Sequence, residues 1–373
     1  MQDVVISGTG LYDPPHSISN QELVASFNEY VRRFNATHRV EIEAGTLAPL
    51  SGSSAAFIQQ ASGIEQRQVL DRDGILDPEV MCPRLRERSN DEPSLMCEMA
   101  LAAASEALER AGKRPAEVDC VLVAASNMER PYPALAIEVQ HRLGASGFAY
   151  DLNVACSSAT FGIQAAGDAL RAGSADCALV VSPEICSGHV NWRDRDSHFI
   201  FGDACTAVLL ERAETRTAPV AFQILGTKLE TRFSNNIRNN FGFLNRTAPE
   251  GVGRPDKLFV QDGRKVFREV VPLVSDLIAS LLAELQLKPA DIRRMWLHQA
   301  NLGMNRLIAK RTFGRDPTPE EAPVILDEYA NTSSAGSIIA FHSHQTGLAP
   351  DDVGILCSFG AGYSVGAIAL RRI

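Results

Sequence analysis

The sequence predicts an α/β protein built of two similar halves, and three observations carry the prediction. Short apolar runs of strand length alternate with longer stretches whose apolar residues recur at helical spacing, as layers of strands and helices require. Most of the runs are continuous, the pattern of strands covered on both faces. A programme of helix, turn and strand then repeats. Lys113-Arg-Pro-Ala-Glu-Val-Asp119 follows a helix and precedes a strand, and Lys288-Pro-Ala-Asp-Ile292 does the same further on.

In chain order, Asp3-Val-Val-Ile-Ser-Gly8 begins as a strand and stops at a glycine turn. Residues 94–111 read as a helix, with Met96, Met99, Ala100, Ala103, Ala107 and Leu108 on one face and Gly112 as its stop. Strands follow at 120–126, 178–182 and 207–211, then at 222–226, 295–298 and 354–359. Helical patterns lie between them at 157–172, 266–287 and 301–313. The polar stretch 212–219 separates the two sets, so the expected halves are 1–213 and 214–373. Residues 27–61 and 73–93 fit neither pattern and are too long for plain connections, which marks them as caps over a site or as mobile loops.

The 373 residues include 36 Lys+Arg and 45 Asp+Glu, a net charge of −9, with 45% apolar residues. That apolar content excludes a disordered chain, and no stretch approaches the ~20 uncharged apolar residues of a membrane-spanning helix. Residues 1–10 lack the basic start of a secretory leader, so a cytoplasmic location is expected. An acidic chain is repelled by nucleic acid and by anionic membranes unless it carries a local basic patch, so neither is an expected partner. The eight cysteines form no C-x-x-C pair and are scattered among apolar runs, which excludes a disulfide framework and a zinc site as the organising feature.

Four segments carry groups suited to chemistry. Cys156 stands between a strand and a helix rich in Ala and Gly, where the positive end of the helix dipole favours thiolate over thiol. The alternative is a cysteine that merely packs. His298, in Trp296-Leu-His298-Gln-Ala-Asn301, follows a strand and opens a helix; a satisfied core histidine would look the same. Asn331 lies in a polar turn and alone reads as a helix cap. Residues 358–366 form a Gly-rich loop after the last buried strand, without the spacing or the following βαβ unit of a dinucleotide site. His342 and His344 form an H-x-H pair on a strand-like face with no third ligand, so no metal site is expected.

In order, interval and local context these segments resemble the β-ketoacyl-[acyl carrier protein] synthase III branch of the thiolase superfamily over nearly the whole chain. The resemblance is carried by Gly8-Thr-Gly-Leu-Tyr-Asp-Pro14, Ser62-Gly-Ile-Glu-Gln-Arg67, Ala155-Cys-Ser-Ser158, Phe201-Gly-Asp-Ala204, Asp262-Gly-Arg-Lys-Val-Phe267, His298-Gln-Ala-Asn301, Ala330-Asn-Thr-Ser-Ser334 and the final loop. It implies a thiolase-like fold, two βαβαβαββ halves stacked in five αβαβα layers, and a homodimer. It implies the triad Cys156, His298 and Asn331, an oxyanion hole from the N–H groups of Cys156 and Ala361, and no cofactor beyond the CoA and acyl carrier protein thioesters that serve as substrates. The implied reaction joins an acyl-CoA to malonyl-[acyl carrier protein] by decarboxylative Claisen condensation through an acyl-Cys156 intermediate.

Several positions depart from the family pattern. Phe57 replaces the usual Trp that stacks the CoA adenine, and Ala61 and Gly303 stand where arginines are common. Phe359 and Gly360 are expected to line the substrate path. Tyr132, in Pro131-Tyr-Pro133, is expected to bound the partner subunit's acyl tunnel, and the two long segments point to medium-chain primers of octanoyl type. Arg264, Lys265, Arg268, Arg306, Lys310 and Arg311 are the expected docking residues for the acidic carrier protein. Condensing enzymes of polyketide, quinolone or long-chain ketone synthesis would use the same triad. A hydroxymethylglutaryl-type synthase would need a further Glu, for which Glu129 is the nearest candidate and has the wrong context.

Overall fold

The computed structural model describes residues 3–240 and 248–373; residues 1–2 and 241–247, which fall inside the two expected halves, lie outside the described residues. Thirteen strands are assigned among the described residues: β1 (Val4–Tyr12), β2 (His16–Ser19), β3 (Gln66–Val69), β4 (Cys120–Ala124), β5 (Phe148–Leu152), β6 (Cys177–Glu184), β7 (Ala204–Arg212), β8 (Phe222–Ser234), β9 (Ile237–Asn239), β10 (Phe259–Gln261), β11 (Ile292–Leu297), β12 (Val353–Gly360) and β13 (Gly362–Arg372). The helices are α1 (Asn20–Thr37), α2 (Arg39–Glu43), α3 (Ala55–Ser62), α4 (Asp73–Leu76), α5 (Leu95–Ala111), α6 (Leu135–Leu143), α7 (Ser158–Ala172), α8 (Gly263–Glu284), α9 (Leu302–Phe313), α10 (Leu326–Tyr329) and α11 (Ala335–Ser343).

Nine strands form one mixed sheet in the order β11-β12-β13-β8-β1-β7-β6-β4-β5. The junction is narrow: β8 meets β1 only at Val5–Gln223 and Ile6–Phe222. On one side of it, β4 pairs in parallel with β5 and β6, while β7 runs antiparallel to β6 and β1. On the other side β11 and β12 are parallel, and β13 runs antiparallel to β12 and β8. The first set therefore reads 3-2-4-5-1 in its own chain order, and the second matches it with its third strand missing.

Burial arranges these sets in layers. α7 and α11 lie between the two sets, where Ile163, Leu170, Ile338 and Phe341 meet Leu122 and Val180 from one side and Trp296 and Leu356 from the other. α5 and α6 cover the outer face of the first set, and α8 and α9 that of the second. Helix, sheet, helix, sheet, helix gives five layers. Both faces of β4, β6 and β12 are buried, which is why their sequences are continuous apolar runs.

The long segments depart from expectation. Residues 27–61 hold most of α1 with α2 and α3, not an irregular loop, and 73–93 begins with α4. α1 starts with a capping box in which Ser19 accepts from the Glu22 N–H and the Glu22 carboxylate accepts from the Ser19 N–H. Leu23, Phe27 and Val31 bury one face of α1 against Ile58, Ile75, Trp192 and Phe199, a separate hydrophobic cluster over one end of the layers. Charges on the opposite face, such as Glu29 with Arg32 and Arg33, hide this periodicity in the sequence. Arg67 is wholly buried and ties the cap together by donating to the Ile18 carbonyl at 2.9 Å and Asn20 Oδ1 at 2.7 Å.

Two further expectations fail. The Gly-rich segment 358–366 is a hairpin, with Ala361 at the turn between β12 and β13. His342 and His344 lie at the end of α11, not on a strand; two residues apart on a helix, they do not share a face.

Candidate active site

Cys156 follows β5 and stands one residue before Ser157, the cap of α7. Local hydrogen bonds force this sharp turn. Ala155 has a positive φ of 48°, Asn153 Oδ1 accepts its N–H at 3.0 Å, and Asn153 Nδ2 donates to the Ser126 carbonyl at 2.8 Å. Ser157 Oγ donates to the Ser364 carbonyl at 3.0 Å, which ties the turn to β13. α7 needs small residues here: a Cβ on Gly162 would lie 2.8 Å from Ala124 Cβ and 2.9 Å from Val180 Cγ1.

Around the sulfur, Ser333 Oγ lies 3.5 Å from Cys156 Sγ, and the N–H groups of Ala361 and Cys156 itself face it. Burial nonetheless pushes the thiol up to about 11, with the Glu184 charge acting in the same direction and the three donors opposing. The lowering expected from the helix terminus is therefore overturned, because desolvation of the charged form outweighs the local donors.

His298 follows β11, its N–H donating to the Cys357 carbonyl at 2.7 Å and its ring standing edge-on to Phe359 with centroids 5.1 Å apart. The ring is 1% exposed, and burial pushes its pKa down to about 3, so it is neutral. Nδ1 is buried without a partner among the described residues. An unpaired N–H there would be costlier than an unpaired lone pair, which places the proton on Nε2.

Asn331 pairs with the segment before β7: its N–H donates to the Ile200 carbonyl at 3.0 Å, and its carbonyl accepts from the Gly202 N–H at 3.1 Å. Its Oδ1 accepts from the Ser333 N–H at 2.9 Å, which fixes the amide orientation and leaves Nδ2 as the donor toward the cavity. It is not a helix cap; Ser334 holds that position for α11.

Cys156, His298, Asn331, Phe359 and Gly360 all line one cavity of about 700 Å³, with Phe201, Phe259, Val270 and Met304 among its apolar walls and Arg264 and Asn301 on its polar side. A smaller cavity of about 150 Å³ reaches Cys156 beside Ala361, Ser126, Cys186 and Phe201. Cys156 thus borders both cavities. Gly360 is required by close approach, since a Cβ there would sit 2.6 Å from Cys156 Cβ.

Other candidates lie apart. Phe57 packs edge-on against Phe199, and the Arg195 guanidinium lies over its ring at 4.3 Å, so a cation absent from the expected positions arrives from a distant loop. Tyr132 is 81% exposed and lines neither cavity that meets Cys156. Arg264, Lys265 and Arg268 start α8, and Arg306, Lys310 and Arg311 lie on α9, which packs beside it; all six are exposed. Among them Lys265, Arg268 and Lys310 pair with Asp262, Glu269 and Asp316. Glu129 accepts from the N–H groups at the start of α5, away from the sulfur. Asp203 ties a turn, accepting from the N–H groups of Leu70 and Ser187. Among the described residues no group of three or more His, Cys, Asp or Glu side chains is placed to hold a metal ion.

Residues 150–231 match the model for 3-oxoacyl-[acyl-carrier-protein (ACP)] synthase III, and residues 282–372 match that for its C-terminal part. The chain is 59% identical over 347 residues, 93% of its length and 99% of the relative's, to a β-ketodecanoyl-[acyl-carrier-protein] synthase of Pseudomonas aeruginosa. It is 32% identical over 375 residues, with both chains covered in full, to a β-ketoacyl-[acyl-carrier-protein] synthase III of Granulibacter bethesdensis. The crystal structure of 3-oxoacyl-[acyl-carrier-protein] synthase III from Aquifex aeolicus aligns with a TM-score of 0.77 over 99% of each chain at 24% identity, a likeness of fold.

Proposed function

The chain belongs to the β-ketoacyl-[acyl-carrier-protein] synthase III family, and from that premise we propose how its own residues carry out the condensation. It is a thiolase-like acyltransferase of fatty acid biosynthesis that joins an acyl-CoA to malonyl-[acyl carrier protein]. The observation that carries the residue assignment is the single cavity in which a sulfur faced by two backbone N–H groups meets a neutral imidazole and an oriented carboxamide.

In the first half-reaction Cys156 Sγ attacks the acyl thioester. The carbonyl oxygen becomes an oxyanion held by the N–H groups of Cys156 and Ala361, CoA leaves, and the thiol proton is balanced by formation of CoA–SH. In the second, the malonyl thioester takes the emptied site and its C–C bond to the carboxylate breaks, releasing CO₂. The electron pair forms an enolate whose oxygen accepts from His298 Nε2–H and Asn331 Nδ2–H. Its carbon attacks the acyl-Cys156 carbonyl, and Sγ leaves as the C–S bond breaks and takes up one proton. A neutral imidazole suits this role, because an imidazolium would protonate the carbanion.

The same reading extends to assembly and substrate. The halves 1–213 and 214–373 each supply part of the site, Cys156 from the first and His298 and Asn331 from the second. The chain acts in the cytoplasm as a homodimer formed along β5, the outermost strand, where Phe148 and Tyr150 stack on one another and stand partly exposed. Tyr132, exposed just before α6, would then reach the partner's acyl channel. The smaller cavity beside Cys156 takes the acyl chain, and the larger one takes the phosphopantetheine arm. The name of the Pseudomonas aeruginosa relative supports an octanoyl primer, since eight carbons plus two from malonyl give a β-ketodecanoyl product.

Intact-mass measurement with a series of acyl-CoAs, followed by malonyl-[acyl carrier protein], tests this. An octanoyl adduct on Cys156 that the carrier substrate discharges as β-ketodecanoyl is expected. Cys156→Ala should form no adduct, whereas His298→Ala and Asn331→Ala should acylate but lose about 10²- to 10³-fold in discharge. Equal or better turnover with acetyl-CoA would refute the primer, and an adduct on Cys156→Ala would refute the nucleophile.

A further inference from the structure

Glu184, at the end of β6, is a buried carboxylate that the reaction above does not use. It is 1% exposed and is surrounded by donors. The Ser126 N–H reaches Oε1 at 2.9 Å and the Ser126 hydroxyl reaches Oε2 at 2.5 Å; the Ser334 N–H reaches Oε1 at 3.2 Å, and the Ser334 hydroxyl donates to the same oxygen. Cys186 Sγ adds a weaker contact at 3.8 Å. Two hydrogen-bond chains leave from these donors. Through the Ser126 carbonyl and Asn153 one reaches Ala155, the residue before the nucleophile. Through Ser334 the other reaches Ser333, whose N–H orients the Asn331 amide and whose hydroxyl touches Cys156 Sγ.

We propose that Glu184 is the positioning residue that holds the Cys156 turn and the Asn331 loop in register across the two halves. The inference rests on the assignment of Cys156 and Asn331 above. A carboxylate accepts from all four donors at once, whereas a carboxamide whose oxygen meets both backbone N–H groups sets its NH₂ against the Ser126 hydroxyl, which must then accept instead of donate. Burial raises the carboxyl pKa and the four donors oppose that. The ionisable groups that face Glu184 are Cys156, Cys186 and Cys205, with Asp203 beyond Cys186; burial holds each of these thiols in its neutral form. The Glu184 charge adds to the burial that keeps the Cys156 thiol neutral.

Loss of the anchor and loss of the charge move two measurements in opposite directions, which loosened packing would not do. In Glu184→Gln the condensation kcat should fall roughly 10- to 100-fold, the cost of sub-ångström misplacement, with KM for both substrates within about 3-fold. Iodoacetamide modification of Cys156 at pH 8, read by peptide mass to separate it from the exposed Cys82, should meanwhile become faster. Unchanged kcat, or a parallel fall of both rates, overturns the proposal. If Glu184→Gln does not fold, Ser126→Ala and Ser334→Ala each remove one hydroxyl donor and should lower kcat several-fold at constant KM; wild-type kcat in both is equally fatal. Cys156→Ala serves as the control: an acyl adduct on that variant would mean that the active-site assignment, not the role of Glu184, is wrong.

Discussion

Alkylation of Cys156 should accelerate tenfold for each pH unit between about 6 and 10, without a plateau. The thiolate is the reactive form, and burial, with the Glu184 charge adding to it, raises the thiol from its ordinary value near 9 to about 11. At pH 8 the thiolate fraction is then about 10⁻³, where an unperturbed thiol would have about 10⁻¹, so modification should be roughly 100-fold slower than for an exposed cysteine. The sign is fixed by burial: the neutral form is favoured, so reactivity appears late as pH rises. No inflection should occur near 6.5, because His298 is already neutral there. The assay is pseudo-first-order iodoacetamide modification followed at the Cys156 peptide. A plateau below about pH 9 would refute the burial argument, and a step near 6.5 would refute a neutral His298.

Three further outcomes are expected. Gly360→Ala places a methyl 2.6 Å from Cys156 Cβ and 3.0 Å from Sγ, so acyl-adduct formation by intact mass should slow about 100-fold and the overpacking should also lower the melting temperature. Charge reversal at Arg306 and Arg311 should raise the apparent KM for malonyl-[acyl carrier protein] at low salt and leave acylation by acyl-CoA unchanged, an effect that salt erases. His198, held at about 4 by burial, is neutral when folded but takes up a proton near 6.5 when unfolded, so its contribution is full above 6.5 and is lost as pH falls toward 4. The stability advantage of the wild type over His198→Phe in urea melts should therefore narrow by about 1.4 kcal/mol per unit from pH 6.5 to 5.

Elements buried on both faces were legible in the sequence, since β4, β6 and β12 have nothing to show but apolar residues. Half-exposed ones were not. β8 runs to Ser234, yet Thr227, Lys228, Glu230 and Arg232 break its pattern after five residues. β5 is an edge strand carrying Asp151, whose carboxylate accepts the first N–H groups of α6; the strand was legible only as the element before Cys156, without bounds, and α6 was not legible at all. In the site, Cys156, His298 and Asn331 could be named because each sits in a distinct motif at a strand end. Arg195 and Glu184 could not, because their significance lies in partners such as Phe57 and Ser334, more than 130 positions away in the chain. The one signal for Glu184 was a lone acid closing an apolar run.

The cap has a hydrophobic cluster of its own, centred on Phe27, Trp192 and Phe199, outside the three clusters that hold the layers together. Cys186 and Phe201 from that cluster wall the smaller chamber beside the sulfur, whereas Cys156, His298 and Asn331 stand on loops fastened to the sheets. What fits and what reacts therefore rest on separate hydrophobic clusters. Substitutions in the cap can retailor the chamber for a different acyl group and leave the reaction's geometry intact, so substrate range is free to drift in evolution while chemistry stays put. The bridge from Phe201 to Asn331 is the seam at which such drift would first be felt.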